Sequence, residues 1–157
     1  MKRDVRVLLN NIRSAHNVGS IFRTADALGI THIYISGYTP APKDRFGRPV
    51  KEIEKTALGA EKTISWELEK DPLALVQKLK RDGFCIVGIE QDKRAIDYKT
   101  FISPAKILVL VGSEVLGLSQ ELRDVCDVLI DIPMKGNKES LNVSVAFGVG
   151  LFRILEQ

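Results

Sequence analysis

DIPMKGNKESLNVSVAFGVGLFRILEQ, residues 131–157, decides the fold. It opens on the end of an apolar strand (residues 128–132), crosses a polar loop with Gly136, Asn137, Ser140 and Asn142, and finishes in a long apolar tail. A strand end, a short polar loop and a helix start leave backbone N–H and C=O groups open at the carboxyl edge of a sheet, where open α/β folds bind ligands. Within the tail, Leu141, Val143, Val145, Phe147, Val149 and Leu151 alternate as in a strand, and periodicity alone leans that way. The run is far longer than the roughly 5–6 residues of an ordinary strand. A helix is therefore expected, apolar nearly all round and covered on more than one side. Asn142, Ala146 and Gly150 form a narrow stripe along it, open to two readings, a subunit contact or a central core helix.

Upstream, apolar runs at residues 5–9, 31–36, 84–89, 107–111 and 128–132 alternate with helical patterns. Val18, Ile21, Phe22, Ala25 and Leu28 recur at helical spacing, with Asn17 placed to cap and Gly29 to stop that helix. Pro72 starts an amphipathic helix ending near Gly83, residues 52–58 suggest a short helix closed by Gly59, and residues 119–125 suggest another. Near-continuous apolar strands alternating with helices predict an α/β fold, a mostly parallel sheet of about five strands with helices on both faces. A length of 157 residues suits one domain with one core.

Cys85 and Cys126 stand apart in apolar surroundings without a histidine cluster, which argues for reduced structural thiols and against zinc. No apolar run nears the roughly 20 residues a bilayer requires, and no signal-like segment precedes the first strand, so a cytoplasmic protein is expected. The net charge of +3 is undiagnostic, but its distribution is informative. In KDRFGRPVK, residues 43–51, Lys43, Arg45, Arg48 and Lys51 face a single acid, Asp44, and interleave with Phe46. Such a loop can grip phosphates or stack a base, although many charge clusters are merely solvated.

Neither G-x-G-x-x-G, nor a P-loop, nor a G-x-S-x-G elbow is present. Polar residues gather instead at three strand ends: Asn11, Arg13 and Asn17; Gly112, Ser113 and Glu114; and residues 135–142. On one edge, the three loops would form one pocket. Arg23 lies on the polar side of the first helix, from which it could hold a phosphate or join a surface ion pair.

Three motifs, N-x-R-x-x-x-N-x-G-x-x-x-R-T-A (residues 11–25), L-V-G-S-E-x-x-G-L (110–118) and I-P-M-x-G-x-x-x-S-L-N-V-S-V-A (132–146), together resemble those of the SpoU/TrmH family of RNA ribose 2′-O-methyltransferases within the SPOUT superfamily. The resemblance runs over essentially the whole chain, and KTALGAE (55–61) is similar to a loop of that family. It implies a catalytic domain with a carboxyl-terminal trefoil knot, S-adenosylmethionine as methyl donor, transfer or ribosomal RNA as substrate, and a homodimer. Composition does not predict the knot, since chains as a rule do not thread their own loops. The resemblance further implies that Arg23 is the catalytic arginine, supported by Asn17, Glu114 and Asn142, and that the cofactor meets Gly88, Gly112, Ile132, Ser140 and Leu141. Strand ends with Met134 beside them can supply the apolar walls and backbone hydrogen bonds an adenine needs. An arginine is a poor base by its pKa, which suits Arg23 to clamp phosphate and ribose oxygens, and His16 is the other candidate to take a proton. With almost no chain before the first strand, a separate RNA-binding extension is not expected. RNA selection then falls to Arg13, Lys43, Arg45, Arg48, Lys135, Lys138 and a dimer-wide surface. A non-catalytic RNA-binding module of the same fold and a nicotinamide-dependent oxidoreductase are the competing expectations.

Overall fold

Alternation along β1 (Asp4–Asn10) sets the layering. Val5, Val7 and Leu9 join one apolar cluster and Leu8 joins a second on the other face, so both sides of the strand are buried. β6 (Lys106–Val111) repeats this, with Ile107, Val109 and Val111 opposed to Leu108 and Leu110. The first cluster is closed by α1 (Ala15–Ala27), α2 (Lys51–Ala57), the short α3 (Ala60–Thr63) and α6 (Val143–Leu155), the second by α4 (Pro72–Arg81) and α5 (Gln120–Val125). A computed structural model describes residues 2–156, and the expected architecture of helices on both faces of a parallel sheet is what it contains.

The sheet has seven strands rather than about five, in the order β3 (Ser65–Glu69), β2 (His32–Ser36), β1, β6, β4 (Cys85–Ile89), β7 (Val128–Asp131) and β5 (Ile96–Asp97), and every described pair is parallel. β2, β4 and β7 fall where their apolar runs predict. The two additional strands are the edges. β3 reads S-W-E-L-E and leaves Leu68 66% exposed, and β5 has two residues. Edge strands need cover on fewer sides and carry charge that discourages further pairing, so no apolar run marks them.

Helix ends follow capping chemistry. Ser14, not Asn17, caps α1, its hydroxyl accepting from the Asn17 N–H at 3.2 Å. Asn17 thereby lies one turn inside, with its amide free to point away from the helix. Asp71 caps α4 ahead of Pro72, and Asn142 caps α6 by accepting from the Ser144 N–H at 2.9 Å. α6 is a helix in spite of its alternation, and Phe147, Gly150, Leu151 and Ile154 are its buried positions. Gly150 lies on the sheet side, where an added Cβ would touch Ile89, so of the Asn142/Ala146/Gly150 stripe Gly150 is buried within the subunit, while Asn142 is exposed and Ala146 half-buried. The apolar positions left open on α6 are Val145, Val149 and Phe152, from 39 to 48% exposed.

Candidate functional site

Because the strands are parallel, the loops after β1, β2, β4, β6 and β7 share one edge. Three of them, with the first turn of α6, enclose a cleft of about 310 Å³. Gly112, Ile132, Met134, Ser140 and Leu141, five of the six residues expected at the cofactor, line it together. Gly88 does not. It lies below the cleft, where a Cβ would press on Leu129, Cys126 and Leu118, and the wall is made by Ile89, Glu90 and Gln91 further along the chain.

Gly112 is fixed by close approach. A Cβ there would lie 2.5 Å from the Gly117 carbonyl carbon and the Leu118 nitrogen, because the loop folds back on itself through paired hydrogen bonds between Ser113 and Gly117. Glu90 locks this loop from beneath, its carboxylate accepting the Leu118 N–H at 2.7 Å, and Gln91 ties the third loop by donating to the Glu139 carbonyl at 2.6 Å. The sequence reading missed both residues. Their signal was two polar side chains immediately following an apolar strand at the ligand edge.

Glu114, Asn17 and Asn142 form one hydrogen-bonded chain. The Glu114 carboxylate accepts from the Arg13 N–H (3.1 Å), the Ser14 N–H (3.3 Å) and the Asn17 amide (3.3 Å), and Asn142 donates to the Asn17 carbonyl oxygen at 3.3 Å. Burial works against the charge of Glu114, but the N–H groups of Glu114 itself, Arg13 and Ser14, with the Asn17 amide, outweigh it and hold the carboxyl below its ordinary range. Glu114 thus fixes the turn entering α1 rather than orienting Arg23. Arg23 is two turns further along α1, exposed, outside the cleft lining, with no hydrogen bond or ion pair among the described residues. His16 also stays outside the cleft, exposed, its carbonyl accepting from Thr56.

The charge of the cleft is one-sided. Glu90, Glu114, Asp131 and Glu139 line it, and no Lys, Arg or His does so among the described residues. Burial, then the nearby Asp97, pushes the Asp131 carboxyl up. Such a lining suits a cation and repels a pyrophosphate, which weighs against a nicotinamide dinucleotide. Ile89, Val111, Ile130 and Phe147 supply apolar walls, and the lining residue types fit S-adenosylmethionine, whose sulfonium is positive.

The candidate RNA contacts lie around this cleft rather than in it. Arg13, Lys43, Arg45, Arg48, Lys135 and Lys138 are all exposed, on the loops after β1, β2 and β7. Asp44 shapes the basic turn, accepting from the Phe46 N–H (2.8 Å) and the Arg48 N–H (3.0 Å) and pairing with the Arg48 guanidinium at 3.1 Å. Among the described residues no cluster of His, Cys, Asp or Glu is placed to hold a metal ion. Cys85 and Cys126 are free thiols, and burial pushes Cys126 up to about 12, which leaves little reactive thiolate.

Comparison with known proteins places this geometry. A 23S rRNA (guanosine-2′-O-)-methyltransferase of Ralstonia nicotianae is 35% identical over 155 residues, covering 96% of this chain and 58% of the relative. A TrmH family protein of Staphylococcus haemolyticus is 32% identical over 148 residues, covering 94% of this chain and 57% of the relative. The chain thus spans just over half the length of these curated relatives. Among solved structures, an A. aeolicus TrmH/SpoU tRNA modifying enzyme superposes with a TM-score of 0.86 at 29% identity, covering 99% of this chain and 76% of that one. An AdoMet-bound rRNA methyltransferase from Sinorhizobium meliloti superposes with a TM-score of 0.88 at 27% identity, covering 99% and 57%. The model of one family accounts for residues 4–152, from the first strand into the last helix, and the chain belongs to that family, the SpoU rRNA Methylase family.

Proposed function

We propose that the protein transfers a methyl group from S-adenosylmethionine to the 2′-hydroxyl of a ribose in transfer or ribosomal RNA. The observation that carries this is the cleft itself: apolar walls, four carboxylates and, among the described residues, no cation, with exposed Arg and Lys side chains on loops of the same sheet edge. The cofactor, when bound, supplies an electrophilic methyl on a sulfonium. Gly112, Ile132, Met134, Ser140 and Leu141 are the residues to hold it, with Glu90 and Gln91 fixing the loops they belong to. In-line transfer needs alignment and removal of the hydroxyl proton. Asn17 and Asn142, clamped by Glu114, present amides at the lip of the cleft to align a ribose, and Arg23 acts as clamp for phosphate and ribose oxygens.

A homodimer, a carboxyl-terminal trefoil knot and a cytoplasmic location belong to the same proposal. Support for the dimer comes from the open apolar stripe Val145, Val149 and Phe152 on α6. Arg23 is next in sequence to Thr24, whose methyl a Cβ on Gly148 would reach at 3.7 Å, so α1 runs against α6 at this point. A second copy docked on α6 would therefore meet Arg23, which gives a physical reason for that side chain to lie outside the cleft of its own chain. Sedimentation at micromolar concentration is expected to give twice the 17.5 kDa chain mass.

The test of the reaction is incubation with methyl-labelled S-adenosylmethionine and total RNA from cells lacking the protein, followed by digestion to nucleosides. Label in 2′-O-methyl nucleosides is expected. Tight RNA binding without any incorporation would instead favour a binding module of the same fold.

A further inference from the structure

We propose that Tyr38 is the platform on which the substrate RNA stacks an unpaired base next to the ribose that is methylated. This inference rests on the methyl-transfer proposal above and names the contact that places the RNA.

Tyr38 follows β2 at the ligand edge, with its side chain 56% exposed. It is nonetheless held at both ends. Its N–H donates to Asn11 Oδ1 at 3.2 Å, and its hydroxyl lies 3.5 Å from Ser113 Oγ, a long contact next to Glu114. The junction beneath is built for this placement. Asn11 occupies the left-handed region with φ 59°, which asparagine tolerates better than most residues, and Gly37 has φ 64°. A Cβ on Gly37 would collide with Asn11 Oδ1, so the glycine is needed to bring the two loops together. Below them the buried Ser36 hydroxyl donates to Asn10 Oδ1 at 2.8 Å, joining the ends of β1 and β2.

A ring fixed by such a junction but half open to water contributes little to the core. It is a preformed aromatic surface, and a base can stack on it at small entropic cost. Sequence-selective recognition of RNA falls mostly on unpaired bases stacked on aromatic or guanidinium planes. Tyr38 does not line the cofactor cleft, yet reaches Ser113, which does, so a base on its ring would lie beside the cleft and not within it. The other exposed aromatic of this loop differs. Phe46 already carries the guanidinium carbons of Arg45 at 4.7 Å and Arg48 at 4.8 Å from its ring centroid. Phe46 thus orients two cations for phosphates, and Tyr38 is left as the open ring for a base.

The test uses the full chain and total tRNA and rRNA from cells lacking the protein. Tyr38→Ala is expected to raise KM for RNA about tenfold, while Tyr38→Phe and Tyr38→Trp stay within about twofold of the parent, because the ring and not the hydroxyl makes the contact. Calorimetry should give the same S-adenosylhomocysteine affinity for all four proteins. Should Tyr38→Ala melt early, Tyr38→Leu, which keeps apolar bulk without a π face, takes its place with the same expected tenfold change. Unchanged KM in Tyr38→Ala overturns the proposal. So does a Tyr38→Phe defect as large as that of Tyr38→Ala, which would assign the effect to the Ser113 contact, or a loss of cofactor affinity, which would make Tyr38 part of the cleft. If the parent incorporates no label into any RNA, the methyl-transfer proposal fails separately. Stacking is then decided by RNA oligonucleotides carrying 2-aminopurine at successive positions. Quenching at one position by the parent but not by Tyr38→Ala upholds the platform, and no difference between them overturns it.

Discussion

The cleft and the basic turn share one sheet edge and carry opposite charge. Four carboxylates and, among the described residues, no cation line the first, whereas Lys43, Arg45 and Arg48 stand exposed on the second, with Lys51 at the start of α2 and Asp44 as the one acid among them. Within the cleft, backbone turns are pressed together so tightly that Gly112 has no room for a side chain. On the turn, Arg45 and Arg48 lie exposed over the Phe46 ring, and Asp44 both fixes the curve of the backbone and pairs with the Arg48 guanidinium. The contrast assigns a ligand to each: a compact cation for the cleft, a polyanion for its surroundings. A dinucleotide would have to lay its pyrophosphate against the carboxylates, and among the described residues no cation lines the cleft to meet an RNA strand.

Arg23→Ala gives the largest expected effect and belongs to neither region. Turnover should fall by about 10²–10³-fold while cofactor affinity is retained, since Arg23 does not line the cleft. Loss of its exposed side chain should move stability by no more than about 0.5 kcal/mol, checked by thermal melting. Undiminished turnover would remove Arg23 from the reaction. Gly112→Leu comes next. The new Cβ meets backbone and not a flexible side chain, so the loop from Ser113 to Gly117 has to shift, with cofactor affinity by calorimetry expected to drop about 10–100-fold and RNA affinity little changed.

The converse variant, Arg45→Glu with Arg48→Glu, should weaken RNA binding about tenfold or more at low salt and flatten the salt dependence by about 0.7 per lost phosphate contact, with cofactor affinity intact. Equal RNA affinity in variant and parent would deny the turn its role. Glu114→Gln is the smallest and is best read against pH. The carboxyl is held below its ordinary value of 4.5, so its contribution to stability is fully present above that value and is lost as pH falls through the lower, folded-state pKa. Melting temperature in the parent should therefore drop more steeply below pH 4.5 than in Glu114→Gln, and parallel curves would contradict the clamp.

Much of this edge was legible because its loops carry side chains at motif spacing. The three stretches around Asn17, Glu114 and Asn142 come from distant parts of the chain and meet as one hydrogen-bonded series. What escaped did so for physical reasons. β3 and β5 are edges whose polar sequences do not require burial, so no hydrophobic run announces them. Gly88 is expected at the cofactor, but in the structure it stands one residue short of the cleft, whose wall on this strand begins at Ile89 and continues through Glu90 and Gln91. The small-residue stripe on α6 is split: Gly150 is buried on the sheet side, whereas Asn142 is exposed and Ala146 half-buried, a division that spacing along the helix does not reveal. Asn17 looked like a cap but yielded that place to Ser14, which frees its amide for Glu114. Tyr38 left no pattern at all: a lone tyrosine in a loop is placed by Asn11 and Gly37, whose backbone conformations only the structure displays.

Equilibrium titration of the protein with S-adenosylmethionine and, separately, with NAD measures the charge of the cleft most directly. One S-adenosylmethionine is expected to bind per chain, displaced by S-adenosylhomocysteine and weakened about 10–100-fold in Gly112→Leu, with no heat from NAD. NAD binding of comparable strength, abolished by the same Gly112→Leu substitution, would contradict it.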